Sequence, residues 1–154
     1  MLLLALVKYL ALLIALVVHE YSHALSAYLM GDETAKRAGR LTLNPVAHAD
    51  MVGTVILPLA AILSPGLPII GWAKPVPFNQ YNLIYPKWGM TIVALAGPAA
   101  NFLSALIFLV GLKVAMGPLA LTPDNILVVF LINLVTINVV LGVFNFIPVP
   151  PLDG

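Results

Sequence analysis

The first apolar segment of the chain is long enough to cross a bilayer and carries a cluster of polar side chains. Residues 1–18 are almost wholly apolar, with Lys8 the one charge, and they run without a break into HEYSH at residues 19–23. A spanning helix needs about 20 apolar residues, so the cluster would lie at membrane depth. A charge at the membrane centre costs roughly 2.5–3.5 kcal/mol on insertion scales. Something must offset that cost, and a bound metal ion is the simplest candidate.

Four apolar segments predict an all-α polytopic membrane protein. Each approaches or exceeds the length of a spanning helix, and they lie at residues 2–30, 51–70, 88–112 and 126–147. Only 8% of the residues are charged, whereas a soluble domain carries about 25%. The net charge of +1 without a basic run does not indicate nucleic-acid binding. We predict one domain over residues 1–154, with three to four transmembrane helices and short strand-like or re-entrant connections.

The connections and helix ends carry local signals. Alternation at residues 40–43 predicts a short strand, and the prolines of residues 72–85 predict extended backbone. Three positions predict helix boundaries: Gly31-Asp32 as the end of the first helix, Asp50 as the N-cap of the second segment, and Asp124 or Asn125 as the N-cap of the last.

The spacing of HEYSH predicts a metal site. Side chains at i and i+4 lie on one face of a helix, so His19 and His23 can direct ring nitrogens at one ion. Glu20 is offset beside them, close enough to handle an attacking water as general base. The alternative is two buried histidines that are satisfied by hydrogen bonds. Because two of the three histidines and one of the two glutamates fall within five residues, we favour the metal site.

Two histidines do not complete a zinc site, because catalytic zinc usually takes three protein ligands plus water. The chain has no Cys, which leaves His48, Asp50, Asp124, Asp153, Glu33 and Asp32 as candidates. Asp32, Glu33 and Asp124 lie near predicted helix ends, where a solvated charge is expected. Asp153 follows the last apolar segment and three prolines that enforce extended backbone. A carboxylate facing a buried site and an Asp-Gly turn at the membrane surface are equally compatible with this position.

Three motifs in this order resemble the site-2 protease family of intramembrane zinc metalloproteases. They are H-E-x-x-H at His19 to His23, G-P-x-x-N at Gly97 to Asn101, and N-x-x-P-x-P-x-x-D-G at Asn145 to Gly154. Residues 39–50 and 71–77 resemble a compact prokaryotic branch of that family. The resemblance covers nearly the whole chain. Because family members generally continue past D-G, it also predicts that the chain is truncated at its C-terminus.

The resemblance implies one Zn²⁺ per chain, held by His19, His23 and Asp153. It implies a multi-pass protease of the cell membrane, whose partners are transmembrane protein substrates and membrane-protein regulators. Glu20 would be the general base and Asn145 the donor to the oxyanion. The Asn145 amide could instead pin the substrate backbone or cap its own helix at the C-terminus.

Other polar residues are predicted to pack helices or to contact substrate. Small and amide side chains let transmembrane helices approach and bond across their interfaces, which we expect of Gly97, Pro98, Asn101, Asn133 and Asn138. His48 could face the zinc site, bind substrate or be exposed, and we favour a place in the lining of a cavity. His48 and Asn44 are our candidate substrate-binding residues.

The depth of the proposed ligands limits the topology. If all four segments crossed the membrane, His23 and Asp153 would lie on opposite faces, roughly 20 Å or more apart. Segment 51–70 contains Pro58, Pro65 and Pro68, so we predict that it is re-entrant. A last helix that stops within the membrane is another solution.

Two other functions remain open at this point. A zinc transporter would also carry intramembrane His and acidic residues, but it usually needs ligands on several helices and often a His-rich loop. A catalytically inactive family member could act as a membrane substrate-binding module. The intact Glu20 favours an enzyme, because a binding protein has no need of the base.

Overall fold

All of the regular secondary structure in the part of the chain that the structure describes is helical. This structure, a computed structural model, describes residues 2–64 and 67–146. Its helices are α1 (Leu2–Leu29), α2 (Thr34–Arg37), α3 (Pro45–His48), α4 (Leu57–Leu63), α5 (Pro86–Met116) and α6 (Ile126–Phe144). A π-helical segment, Met51–Ile56, leads into α4, and a 3₁₀ turn forms at Gln80–Asn82. No strand occurs within these residues, so the predicted fold class is confirmed.

Three helices, α1, α5 and α6, are long and apolar enough to cross a membrane. The second apolar segment forms only the shorter apolar helix Met51–Leu63. At 1.5 Å per residue this helix is about 20 Å long, less than the roughly 30 Å of a hydrocarbon core. Three spans, rather than four, therefore meet the length requirement. The re-entrant path of residues 51–70 stays a prediction.

α5 runs antiparallel to α1. Val93, near the start of α5, accepts a hydrogen bond from His23 near the end of α1. Asn101, further along α5, bonds to His19, which lies earlier in α1. The two histidines are therefore held between α1 and the first half of α5.

α5 also runs antiparallel to α6. Asn101 donates to Asn138 in the second half of α6, whereas Gly111 faces Leu131 in the first half. α1 and α6 are consequently parallel, and their C-terminal ends lie toward the same side of the bundle. This arrangement removes the depth conflict that four full spans would create for the residues after α6.

The strand predicted at residues 40–43 is wrong. These residues form a coil and two bends, because no described segment pairs with them and their polar groups bond locally. The Arg40 side chain donates to the carbonyl of Ala47, and His48 Nε2 donates to the carbonyl of Thr42. Of the residues 72–85 predicted to be extended, 72–79 have no regular secondary structure, Asn79 has extended φ and ψ, and Gln80–Asn82 form a 3₁₀ turn instead.

The predicted helix boundaries are confirmed. Gly31 adopts φ +99° directly after α1, a conformation that glycine reaches without steric cost. Asp50 accepts from the backbone N–H groups of Val52 and Gly53. Asn125, rather than Asp124, caps α6 by accepting from Leu127 N. These caps satisfy backbone donors that a helix start leaves without partners.

Asp32 joins the end of α1 to the connection before α5, and the solvated charge predicted there is wrong. Its side chain is fully buried, with 0% exposure. It accepts bonds from Thr34 N and Oγ1, from Asn79 N at 2.7 Å and from Asn82 Nδ2 at 3.0 Å. Burial alone would raise the pKa of Asp32, but these hydrogen bonds outweigh it and hold the pKa below its usual value. Glu33 and Asp124 are solvent-accessible, as predicted.

We expect Asp32→Asn to lower the free energy of unfolding by about 1–3 kcal/mol at neutral pH, since an amide nitrogen would face bound N–H donors. Because the folded pKa lies below the unfolded value of about 3.9, the contribution is complete above that value and is lost as pH falls through the folded pKa. Unfolding in detergent at pH 7 and in acid checks this, with Glu33→Gln as the control. An equal difference at both pH values would contradict it.

Candidate metal centre

A pair of histidines on α1 forms a buried polar cluster that faces α5. His19 and His23 are 3% and 6% exposed. Their Nε2 atoms lie 3.0 Å apart, and the rings meet edge-on with centroids 4.6 Å apart. The i, i+4 spacing therefore brings two imidazoles to one point, as the sequence predicts.

The other nitrogen of each ring is held by an oxygen of α5. His23 Nδ1 donates to the carbonyl of Val93 at 2.7 Å. His19 Nδ1 lies 2.5 Å from Asn101 Oδ1. A carbonyl oxygen can only accept, so Nδ1 is the donor in each of these bonds, and Nε2 is the nitrogen that faces the other histidine. In metal sites the second nitrogen of a ligating histidine is held in this way, which fixes the tautomer and the ring orientation.

Gly97 provides the space for this pair. It lies on α5 between Val93 and Asn101, and a Cβ there would lie 2.7 Å from His19 Nε2 and would overlap His23 Nε2. Nonbonded heavy atoms need about 3.5 Å, so only glycine lets the imidazoles face α5 at this depth. The face of α5 that meets the histidines therefore consists of the space at Gly97, the Val93 carbonyl and the Asn101 amide.

The roles of Gly97 and Asn101 extend beyond the packing that the sequence predicts. Asn101 does bond across a helix interface, as expected, but one partner is His19 of the candidate site. The i, i+4 spacing of Gly97 and Asn101 could have indicated one face that meets the i, i+4 face of His19 and His23. The Val93 carbonyl has no sequence signal, because every residue offers the same main-chain group.

The remaining predicted site residues occupy different positions. Glu20 is half-buried beside His19 on α1. Asn145 caps the C-terminus of α6, and its Nδ2 donates to the Leu141 carbonyl at 2.9 Å. Asp153 lies outside the described residues. Within residues 2–64 and 67–146, no three His, Asp or Glu side chains are grouped closely enough to hold a metal.

The two predicted substrate-binding residues lie in α3 and at its start. His48 is buried, with 2% exposure, and its Nδ1 has no hydrogen-bond partner. It borders a very small cavity that it shares with Leu16 and Val17 of α1. Asn44 is exposed and caps α3 by accepting from Val46 N at 3.0 Å. The place of His48 in the lining of a functional cavity and its contact with substrate both stay predictions.

The fold and the site together define a helical protein with three potential membrane spans and a buried histidine pair on the first of them. The chain is 39% identical over 146 residues to "Putative zinc metalloprotease YwhC" of Bacillus subtilis, covering 93% of this chain and 63% of that protein. It is 34% identical over 142 residues to "Putative zinc metalloprotease Rip2" of Mycolicibacterium smegmatis, covering 92% and 52%. These relatives support a zinc metalloprotease family for the chain.

A third relative bears the same name and has lower identity. The Rip2 protein of Mycobacterium tuberculosis is 28% identical over 142 residues. The chain thus spans between half and two thirds of the length of the curated relatives that it matches. No family model and no solved structure matches the chain.

Proposed function

We propose that the chain is the core of an intramembrane zinc metalloprotease of the site-2 protease type. It would hydrolyse peptide bonds in or near transmembrane helices of substrate proteins, as a multi-pass protein of the cell membrane. The observation that carries this proposal is the buried pair of Nε2 atoms 3.0 Å apart on a helix of spanning length. Placing a histidine pair at membrane depth costs free energy, so such a pair indicates a functional site.

The residues present fit zinc. Two nitrogens at 2.0–2.1 Å from a tetrahedral ion lie about 3.3 Å apart, close to the separation observed here. Both Nε2 lone pairs converge, and both Nδ1 protons are bound to oxygens of α5. A cation between the two Nε2 atoms would accept one lone pair from each ring. His19 and His23 would therefore supply two of the three expected ligands.

Asp153 is the proposed third ligand. α6 runs parallel to α1, and Asn138 already lies at the depth of the Asn101–His19 bond. The helix continues from there toward the side at which α1 ends, and Asp153 follows Phe146 by seven residues. Seven residues reach at most about 25 Å. The direction of α6 and this length of chain support a carboxylate at the histidine pair.

The proposed chemistry divides among a few side chains. Zinc, when bound, supplies a Lewis acid that lowers the pKa of water to about 7. Glu20 would take the proton of the attacking water and return it to the leaving amine. Asn145 would donate to the oxyanion of the substrate carbonyl. One N–H of its amide bonds to Leu141, and the second N–H is the candidate donor.

Substrates of such a site must present an extended peptide, because a helix keeps its carbonyls in internal hydrogen bonds. The connection at residues 72–79 has no regular secondary structure, so its backbone groups could pair with a substrate strand. Its end is anchored at Asn79 by Asp32. The substrate proteins and regulators would thus be other membrane proteins, with His48 and Asn44 as candidate contacts on the preceding connection.

The proposed function is tested by zinc content and cleavage in one preparation. We expect about one zinc per chain in the purified protein and cleavage of a model transmembrane substrate in detergent. His23→Leu should lose the zinc, because catalytic sites need three protein ligands. His48→Leu, which removes the third histidine of the chain, should retain it.

Three outcomes would contradict parts of this proposal. Zinc bound to the protein without cleavage would favour the inactive substrate-binding module. Zinc-dependent transport into vesicles without cleavage would favour the transporter. Equal zinc content in the parent and in His23→Leu would exclude the histidine pair as the metal site.

A further inference from the structure

We propose that Asn138 on α6 is a positioning residue that acts through Asn101 on the tautomer of His19. The inference deepens the proposed function, since that tautomer would serve a metal at His19 Nε2. A series of three side-chain bonds begins within α6 and continues through α5 to α1. Asn138 Nδ2 donates to the Leu134 carbonyl at 2.8 Å, Asn101 Nδ2 donates to Asn138 Oδ1 at 2.8 Å, and Asn101 Oδ1 meets His19 Nδ1 at 2.5 Å.

The direction of this chain of bonds is determined at its α6 end. The Leu134 carbonyl can only accept, so it orients the Asn138 amide with Nδ2 toward Leu134 and Oδ1 toward α5. Asn138 Oδ1 can only accept, so Asn101 must direct its Nδ2 toward it. Asn101 is left with Oδ1 for His19, and His19 must donate from Nδ1. The proton of His19 is thereby kept away from Nε2.

Burial makes the orientation costly to reverse. Asn101 and Asn138 are both 0% exposed, and His19 is 3% exposed. Water cannot replace a lost partner there, and a buried polar group without one costs about 1–3 kcal/mol. A rotated Asn101 amide would place Nδ2 against His19 and Oδ1 against Asn138 Oδ1. Asn138 is therefore the group that penalises the wrong rotamer from the far side of α5.

Without Asn138, one weaker restraint remains. Asn101 Nδ2 also donates to the Ala15 carbonyl, at 3.2 Å. If Asn101 rotates, His19 can accept at Nδ1 and carry its proton on Nε2, directed at His23 Nε2. The hydrogen bond between the two histidines would then occupy the position of the metal. Apparent affinity falls with the fraction of protein in the competent form.

Asn133 provides a matched control on the same helix. Its Nδ2 donates to the Val129 carbonyl at 2.7 Å, the same bond to the fourth preceding residue that Asn138 makes to Leu134. It is half-buried and has no described bond to α5. Asn133→Leu and Asn138→Leu therefore remove the same group and the same bond within α6, and they differ in the link to Asn101.

The first measurement is the zinc dissociation constant of the full-length protein in lipid nanodiscs, by competition with a chelator. We expect Asn138→Leu to weaken zinc binding about 10-fold, as loss of an outer partner of a ligand does. Asn133→Leu should match the parent. Asn138→Asp should restore affinity, because a carboxyl oxygen still accepts from Asn101 in either protonation state. Equal affinities for Asn138→Leu and Asn133→Leu would overturn the inference.

The second measurement needs no bound metal and no variant. ¹⁵N NMR of the histidine-labelled, metal-free parent distinguishes a protonated Nδ1 from an unprotonated one. We expect a protonated Nδ1 at His19, and an unprotonated Nδ1 would overturn the inference. A protein that shows this tautomer and binds zinc but cleaves no substrate would contradict the proposed function while leaving the inference intact. If Asn138→Leu does not fold, the parent spectrum and Asn138→Asp still decide the question.

Discussion

Replacing Glu20 by Gln should reduce cleavage of a transmembrane substrate by about 10²–10⁴-fold while zinc remains bound. Glutamine has nearly the same shape, so α1 and the adjacent His19 keep their packing. It cannot accept the proton of the attacking water, and loss of a general base costs a factor in that range. Single-turnover cleavage and zinc content of the same samples measure the two effects separately.

Glu33 is the matched control, because it is the other glutamate of the chain. It lies before α2, is 46% exposed at its side chain and pairs with Arg37 on the surface. Glu33→Gln removes the same charge outside the bundle and should leave cleavage at the parent level. A Glu20→Gln protein that cleaves as fast as Glu33→Gln would exclude Glu20 as the base.

Replacing Gly97 by Ala should weaken zinc binding by about 100-fold, the upper end of what loss of an outer partner costs. The added Cβ would lie 2.7 Å from His19 Nε2, so α1 must move away from α5 or the imidazoles must rotate. Either change breaks the bonds of Nδ1 to Val93 and Asn101. Zinc affinity by chelator competition, together with the unfolding temperature of the metal-free protein, measures this effect.

Gly111 on the same helix separates this effect from helix propensity. A Cβ at Gly111 would meet Leu131 Cδ2 at 3.6 Å, an ordinary contact. Alanine favours a helix over glycine by roughly 0.5–1 kcal/mol, so Gly111→Ala should be as stable as the parent or more so, with unchanged zinc affinity. Equal zinc affinity in Gly97→Ala and Gly111→Ala would show that the space at Gly97 does not matter.

Much of the fold follows from hydropathy and local signals. The apolar segments predict the long helices, and Gly31, Asp50 and Asn125 mark helix ends through conformation and capping that depend on neighbours in sequence. The strand at residues 40–43 failed as a prediction because alternation over four residues is weak without a partner segment. The burial of Asp32 does not follow from local signals for a similar reason, since its partners Asn79 and Asn82 are distant in sequence.

In the candidate site, too, some features follow from the sequence alone and others only from the tertiary structure. The spacing of His19, Glu20 and His23 is a property of one helix, so the sequence alone determined that two imidazoles share a face of a helix long and apolar enough to span a membrane. Tertiary structure decided which groups meet that face. The Val93 carbonyl, the space at Gly97 and the bond from Asn101 depend on the register of α5 against α1, and hydropathy does not specify register. The packing of side chains between the helices specifies this register, and it places these three groups of α5 against the two histidines.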